Sequence, residues 1–296
     1  MKILKIYTLL ALALSTSVFT ACKDDDKDTP APNPSPNLVF KFVFDSTQVR
    51  LDAFGNPAAL PANHGAQSPK FRKMSSHYIE LAQGPFTLLG EGEVIYHNAE
   101  TTAGGNNAID FSKSLSVGNN EVFYSIPLAN VAPGNYQWLR VSLGYQNYDV
   151  EFRYNVAGID YDFNGTLASF IGYNTYVTNY KIKDSTVVLN ENKLQGYWAF
   201  ETAYSITQGQ APAGATTVPN PLFNSSPIPQ GSCVVTGAFQ NALVITGNET
   251  QNVVVTVSLS TNKSFEWLEN STPGYYEPAL GDVVVDMGIR GMKVSY

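Results

Sequence analysis

Residues 38–296 predict an all-β fold, an antiparallel β-sandwich of Ig-like or related type. Three observations carry that expectation. Tyr148, Val150, Phe152, Tyr154 and Val156 alternate with Asn147, Asp149, Glu151, Arg153 and Asn155, the period of two of a strand that buries one face. Runs of β-branched and aromatic residues recur, the first being Leu38-Val39-Phe40-Lys41-Phe42-Val43-Phe44, which suits a pleated, half-buried surface. Turn residues punctuate the chain at Asn119-Asn120, Pro133-Gly134-Asn135, Asn164-Gly165, Gly247-Asn248 and Pro273-Gly274.

The chain starts differently. Lys2 and Lys5 precede the apolar stretch Leu9-Leu10-Ala11-Leu12-Ala13-Leu14, which runs on to Thr20-Ala21-Cys22. A positive start, a short apolar centre and small residues before a cysteine are the pattern of a cleaved secretory signal over 1–21. The stretch falls short of the roughly 20 apolar residues that a membrane-spanning helix needs. Cys22 is then the lipid-bearing first residue of the mature chain, and several acyl chains hold such a protein at its membrane where a single one would not. Residues 22–37 read as a tether. Lys23-Asp24-Asp25-Asp26-Lys27-Asp28 stays hydrated, and Pro30, Pro32, Pro34 and Pro36 favour an extended spacer.

Along 38–296 the expected strands are 38–44, 75–82, 93–98, 121–127, 135–145, 147–156, 167–177, 196–202, 233–246, 252–260 and 283–295. The irregular stretches 53–70 and 208–232 are longer than ordinary connections and are candidate functional loops. The second could subdivide the domain, but one continuous sandwich is the favoured organisation. Hydrophobic residues make up 44% and charged residues 15% of the chain, enough for a packed core. The formal net charge of −7 becomes −9 once Lys2 and Lys5 leave with the signal. That acidic balance, with no basic stretch, argues against a nucleic-acid partner. With Cys22 committed to lipid, Cys233 has no partner for an internal disulfide and is expected to pack as a small buried hydrophobe.

Few motifs carry chemistry. Asp160-Tyr161-Asp162-Phe163-Asn164-Gly165 matches the first half of a calcium loop, but Ile171 stands where the bidentate carboxylate belongs. A hairpin turning at Asn164-Gly165 is the better reading. Glu269, Glu277 and Asp282 could offer oxygens to calcium, although an exposed turn is the default there. No nucleophile elbow, zinc-protease motif or phosphate-binding glycine loop occurs, and no enzyme is expected. His64, His77 and His97 are the chain's three histidines, all between positions 64 and 97, and Met74 stands three residues before His77. Imidazole with thioether is a donor set that suits copper. On a strand, however, the odd offset would point Met74 and His77 to opposite faces. The plainer alternative is three histidines bonded to neighbouring protein groups.

Two resemblances add to this. The cluster Cys22-Lys23-Asp24-Asp25-Asp26 resembles the surface-export signal of Bacteroidota lipoproteins, which implies an outer-membrane anchor facing the cell exterior. The segments Ser68-Pro69-Lys70-Phe71-Arg72-Lys73-Met74-Ser75-Ser76-His77-Tyr78-Ile79-Glu80-Leu81 and Ile126-Pro127-Leu128-Ala129-Asn130-Val131-Ala132-Pro133-Gly134-Asn135-Tyr136-Gln137-Trp138-Leu139-Arg140-Val141-Ser142-Leu143-Gly144 resemble MbnP-like proteins. That resemblance covers only the first part of the mature domain. It implies an exported β-sandwich that binds copper through histidines, here His64, His77 and His97, with an oxidised tryptophan in some members. Trp138, Trp198 and Trp267 do not adjoin a histidine in sequence. Two other functions are compatible with the chain. A glycan-binding surface lipoprotein is suggested by 17 Tyr, 16 Phe and 3 Trp, and a structural or adhesive surface component with a protein partner is the other.

Overall fold

A computed structural model describes residues 35–52, 56–211 and 232–296. The expected signal, Cys22 and most of the tether lie outside the described residues, as does most of the 208–232 stretch. Ser35–Tyr296 forms one compact unit. Its regular structure is all β, with short 3-10 turns and no α-helix among the described residues. The strands form one large sheet of eleven members and two smaller ones of four and three.

The organising strand is β8 (Gly134–Val156). It absorbs both expected strands 135–145 and 147–156, because no turn residue interrupts the chain between them. Its first part pairs with β14 (Cys233–Ile245), its middle with β3 (Lys70–Ala82) and its last part with β9 (Ile159–Phe170), all antiparallel. Leu139, Val141 and Leu143 enter the main core from one face, and Arg140 and Ser142 are buried on the other. Cover on both faces explains why the polar–apolar alternation fades in that half of the strand.

The sheet is mixed, not antiparallel throughout. β1 (Asn37–Asp45) pairs antiparallel with β7 (Glu121–Pro127) but parallel with β15 (Val253–Ser260). β14 and β18 (Met292–Ser295) also meet in parallel. Parallel neighbours need a long crossover, and the sequence separation of β1 and β15 supplies one. Leu38, Phe40 and Phe42 of β1 are fully buried, and Phe42 stacks on Phe123 with ring centroids 4.6 Å apart.

Several expected boundaries move. The 167–177 stretch divides into the end of β9 and the start of β10 (Asn174–Lys181), and 283–295 divides into β17 (Val283–Met287) and β18. The hairpin does not turn at Asn164-Gly165. It turns at Ala157-Gly158, where both residues have positive φ, 53° and 85°, while Asn164 and Gly165 sit inside β9 opposite Glu151 and Val150. Gly165 serves packing instead: a Cβ there would lie 2.1 Å from the ring of Phe200 on β12 (Tyr197–Glu201). The small sheets contain strands that alternation did not announce. They are β2 (His64–Gln67), β5 (Glu100–Thr101), β6 (Ala108–Asp110), β11 (Thr186–Leu194) and β16 (Phe265–Leu268), and β13 (Ile206–Gln210) is an equally unannounced edge of the large sheet.

Candidate metal centre

Three side chains meet where the large sheet passes its chain to the four-stranded sheet. His77 lies on β3, His97 ends β4 (Glu93–His97), and Glu100 opens β5. β4 pairs with β3 so that His97 stands opposite Tyr78, and the Asn98 N–H donates to the His77 carbonyl at 2.8 Å. His77 itself is left out of the β3–β8 register, since Ser76 faces Leu143 and Tyr78 faces Ser142. A bulge of this kind inserts one unpaired residue and re-aims side chains. It also undoes the simple odd–even argument for the whole stretch. Gly144 is skipped on β8 one step earlier, and its open flank faces the His77 backbone nitrogen.

The imidazoles of His77 and His97 pack edge to face with centroids 4.8 Å apart. Their Nε2 atoms lie 3.1 and 3.3 Å from Glu100 Oε1. One ligand atom from each of the three residues lies within 4.8 Å of the others, and no further such group of histidine, cysteine or carboxylate residues occurs among the described residues. Two outer residues hold the carboxylate. Tyr173 donates its hydroxyl to Oε1 at 2.9 Å and Asn107 donates to Oε2 at 2.6 Å. Strand β6 brings Asn107 into place, and Tyr173 immediately precedes β10, the parallel neighbour of β6.

The electrostatics follow from these contacts. Donors from His77, Asn107 and Tyr173 outweigh partial burial and hold the Glu100 carboxyl at about 2, so it is ionised at neutral pH. His77 is 1% exposed, and burial pulls its proton affinity below the usual value despite the carboxylate beside it. It is therefore a neutral imidazole at pH 7. Burial and the Glu100 charge push the Tyr173 phenol up, which keeps it a hydrogen-bond donor. His97 is exposed and leaves the cluster open to solvent on one side. The buried Nδ1 of His77 has no hydrogen-bond partner; with the single ring proton on Nε2 the ring donates to Glu100, and with it on Nδ1 the Nε2 lone pair is available to a metal. Two imidazoles and a deprotonated carboxylate with an open side are a donor set for a first-row divalent metal.

Of the expected ligands, His77 and His97 are brought together, whereas His64 and Met74 are elsewhere. His64, on β2, directs Nδ1 to Glu266 on β16. Glu266 also accepts from Arg50 and Arg290, and Arg290 pairs in turn with Asp286. Met74 is fully buried in the main hydrophobic core and exchanges backbone hydrogen bonds with Val117, so its thioether is a packing group. Glu100 was not anticipated, although it stands three residues after His97 and an acidic residue beside a histidine is a usable signal. Trp267 is the tryptophan nearest a histidine in register, opposite Gly65 and next to the His64–Leu268 pair. It donates to Glu269 and belongs to the core.

The other anticipated groups have structural tasks. Asp160 accepts from Asn155, and Asp162 pairs with Arg153 across the β8–β9 hairpin. Asp282 accepts from the backbone of Asn270 and Glu277, Glu277 accepts from Thr272, and Glu269 accepts from Gly274. These three carboxylates tie a loop by its N–H groups. Cys233 is 3% exposed in the core, and burial raises its thiol to about 12, which makes it inert as a nucleophile. No helix among the described residues is long and apolar enough to cross a membrane, which does not bear on strands. Comparisons of the chain with protein-family models, curated proteins and solved structures give no match.

Proposed function

We propose that the chain is a lipid-anchored, exported protein whose β-sandwich domain binds copper(II) through His77, His97 and Glu100. The observation that carries this reading is the convergence of two imidazole Nε2 atoms on one carboxylate oxygen, 3.1 and 3.3 Å away, with His77 neutral and Glu100 ionised. Ligands in those states release few protons on binding, which favours metal uptake at neutral pH. With Met74 in the core, the donors are nitrogen and oxygen, which suits copper(II) better than copper(I). Among divalent first-row metals such a site prefers copper, with zinc next to it as the competing occupant. The resemblance to MbnP-like proteins supports the same reading, with Glu100 taking the place expected for His64. The anchor at Cys22 and display at the outer-membrane surface complete the proposal, supported by the signal pattern and the acidic and proline-rich tether.

Full-length protein titrated with copper(II) and analysed by native mass spectrometry should hold one ion per chain. The double variant His77→Ala/His97→Ala should hold none, and His64→Ala should hold one. Absence of stoichiometric metal in the wild type, or its retention in the double variant, refutes the proposal. Loss of the lipid mass in Cys22→Ser tests the anchor independently. A glycan-binding or adhesive surface role is the reading to take up if the metal tests fail.

A further inference from the structure

A second site lies away from the metal centre. The inner face of β8, β9 and β12 faces β17 across a cavity of about 600 Å³, within the range of about 300–1,000 Å³ that small-molecule sites occupy. Its walls are mainly apolar. Phe152 and Leu167 form one side with Trp198 and Phe200, and Tyr276 and Val284 close the other. The strand period places them there: residues 150, 152 and 154 of β8, 167 and 169 of β9 and 198 and 200 of β12 line the same side, with Ile171 and Thr202 just beyond the ends of β9 and β12. Protein interiors otherwise pack to the density of organic crystals, so space of this size between an aromatic wall and the largely aliphatic β17 wall is unlike a packing defect. The rim reaches solvent, since Tyr154, Thr207 and Val283 are exposed.

The cavity also contains one polar anchor. Gln146 is fully buried and lines it. Its amide nitrogen donates to the Met287 carbonyl, while Oε1 has no partner. A buried acceptor without a donor is costly, and a guest with an O–H or N–H would supply one. Of the two carboxylates that line it, Asp286 is committed to Arg290 and to the Gly288 N–H, and Asp282 accepts from the Asn270 and Glu277 N–H groups and the Ser271 hydroxyl, so neither is free to pair with an ionic guest. Sugars, which need many polar partners, fit these walls poorly.

We propose that this cavity binds a neutral, mainly apolar aromatic molecule carrying a single hydroxyl or N–H that donates to Gln146 Oε1. The guest lies between the ring of Trp198 and the β17 wall, with its donor at the Gln146 end. The site shares none of the metal-centre residues, so it does not depend on the copper reading.

4-Hydroxybenzophenone is a suitable probe, because its two rings and single phenol match the cavity and its ketone crosslinks to nearby C–H bonds under ultraviolet light. Full-length protein should label saturably, with the crosslinks mapping by mass spectrometry to β8, β9, β12 or β17, and excess 4-phenylphenol should suppress them. Ser169→Trp, on the cavity floor, and Thr207→Trp, at its exposed rim, should each reduce labelling at least tenfold. The rim variant keeps the test valid if the floor variant fails to fold. Gln146→Leu should weaken the phenol at least fivefold and leave unsubstituted benzophenone unchanged. Scattered or unsaturable labelling overturns the proposal, as does labelling that persists in Thr207→Trp. Equal loss of both probes in a folded Gln146→Leu protein overturns the anchoring role of Gln146.

Discussion

Replacing Glu100 with glutamine keeps the shape of the side chain and removes its charge. In the folded protein the carboxyl sits at about 2 against an ordinary 4.5. Taken whole, that difference corresponds to about 3 kcal/mol at about 1.36 kcal/mol per unit. The side chain keeps 25% of its surface exposed, and solvent screening reduces the effect to about 1–2 kcal/mol. Because the folded value lies below the unfolded one, this stabilisation is fully present above about pH 4.5 and is lost as pH falls toward 2. Metal-free Glu100→Gln should therefore unfold at lower urea than the wild type at pH 7, with a melting point lower by roughly 2–8 °C. The gap should narrow steadily between pH 4.5 and 3. His77 adds a separate decline in the wild type below pH 6.5, because burial holds its folded value under the unfolded one and the unfolded chain takes up the proton first. The copper(II) affinity of the variant should fall at least ~10-fold, which is about 1.4 kcal/mol. Equal urea midpoints for the two proteins at pH 7 and at pH 3 would refute the donor network drawn around Glu100.

Further outcomes follow from other contacts. His64→Ala should cost about 1 kcal/mol in urea unfolding, because Glu266 loses one donor of three, while copper stoichiometry stays at one. Gly165→Val should destabilise by about 1–3 kcal/mol, since its Cβ would lie 2.1 Å from the Phe200 ring; a melting point equal to that of the wild type would sink the packing argument. Phe42→Ala empties a fully buried, stacked site and should cost about 3–5 kcal/mol by denaturant titration. Asp286 is held up at about 6 by burial. Its folded value exceeds the unfolded one, so the stability tied to it is present below about pH 4 and declines as pH rises through 6. Urea midpoints of Asp286→Asn measured across pH 4–7 should lack that declining limb, and an unchanged pH profile would contradict the assignment.

Much of the strand content was legible because alternation and β-branched runs reflect burial of one face, as in Leu38–Phe44 and Tyr148–Val156. The same signal carries nothing about which strands become neighbours. Leu38–Phe44 reads identically whether its partner runs parallel or antiparallel, and the parallel pairing with β15 came only from the three-dimensional path. Turn chemistry misled at Asn164-Gly165, where glycine clears space for Phe200 and the chain turns instead at Ala157-Gly158. Short strands such as β5 and β6 lack the length for a periodic pattern and exist through their pairing with each other and with β10.

The histidines show the same division. Their types and their confinement to residues 64–97 raised the metal question from sequence alone, as the apolar start and Cys22 raised that of export. Which of them converge was settled by tertiary structure: the β3 bulge turns His77 toward β4 and the chain returns at once to present Glu100, while β16 holds His64 against Glu266. Residue type sets what a side chain can bond, and this the sequence determines. Convergence depends on register, bulges and pairing between strands far apart along the chain, and only the folded protein decides those.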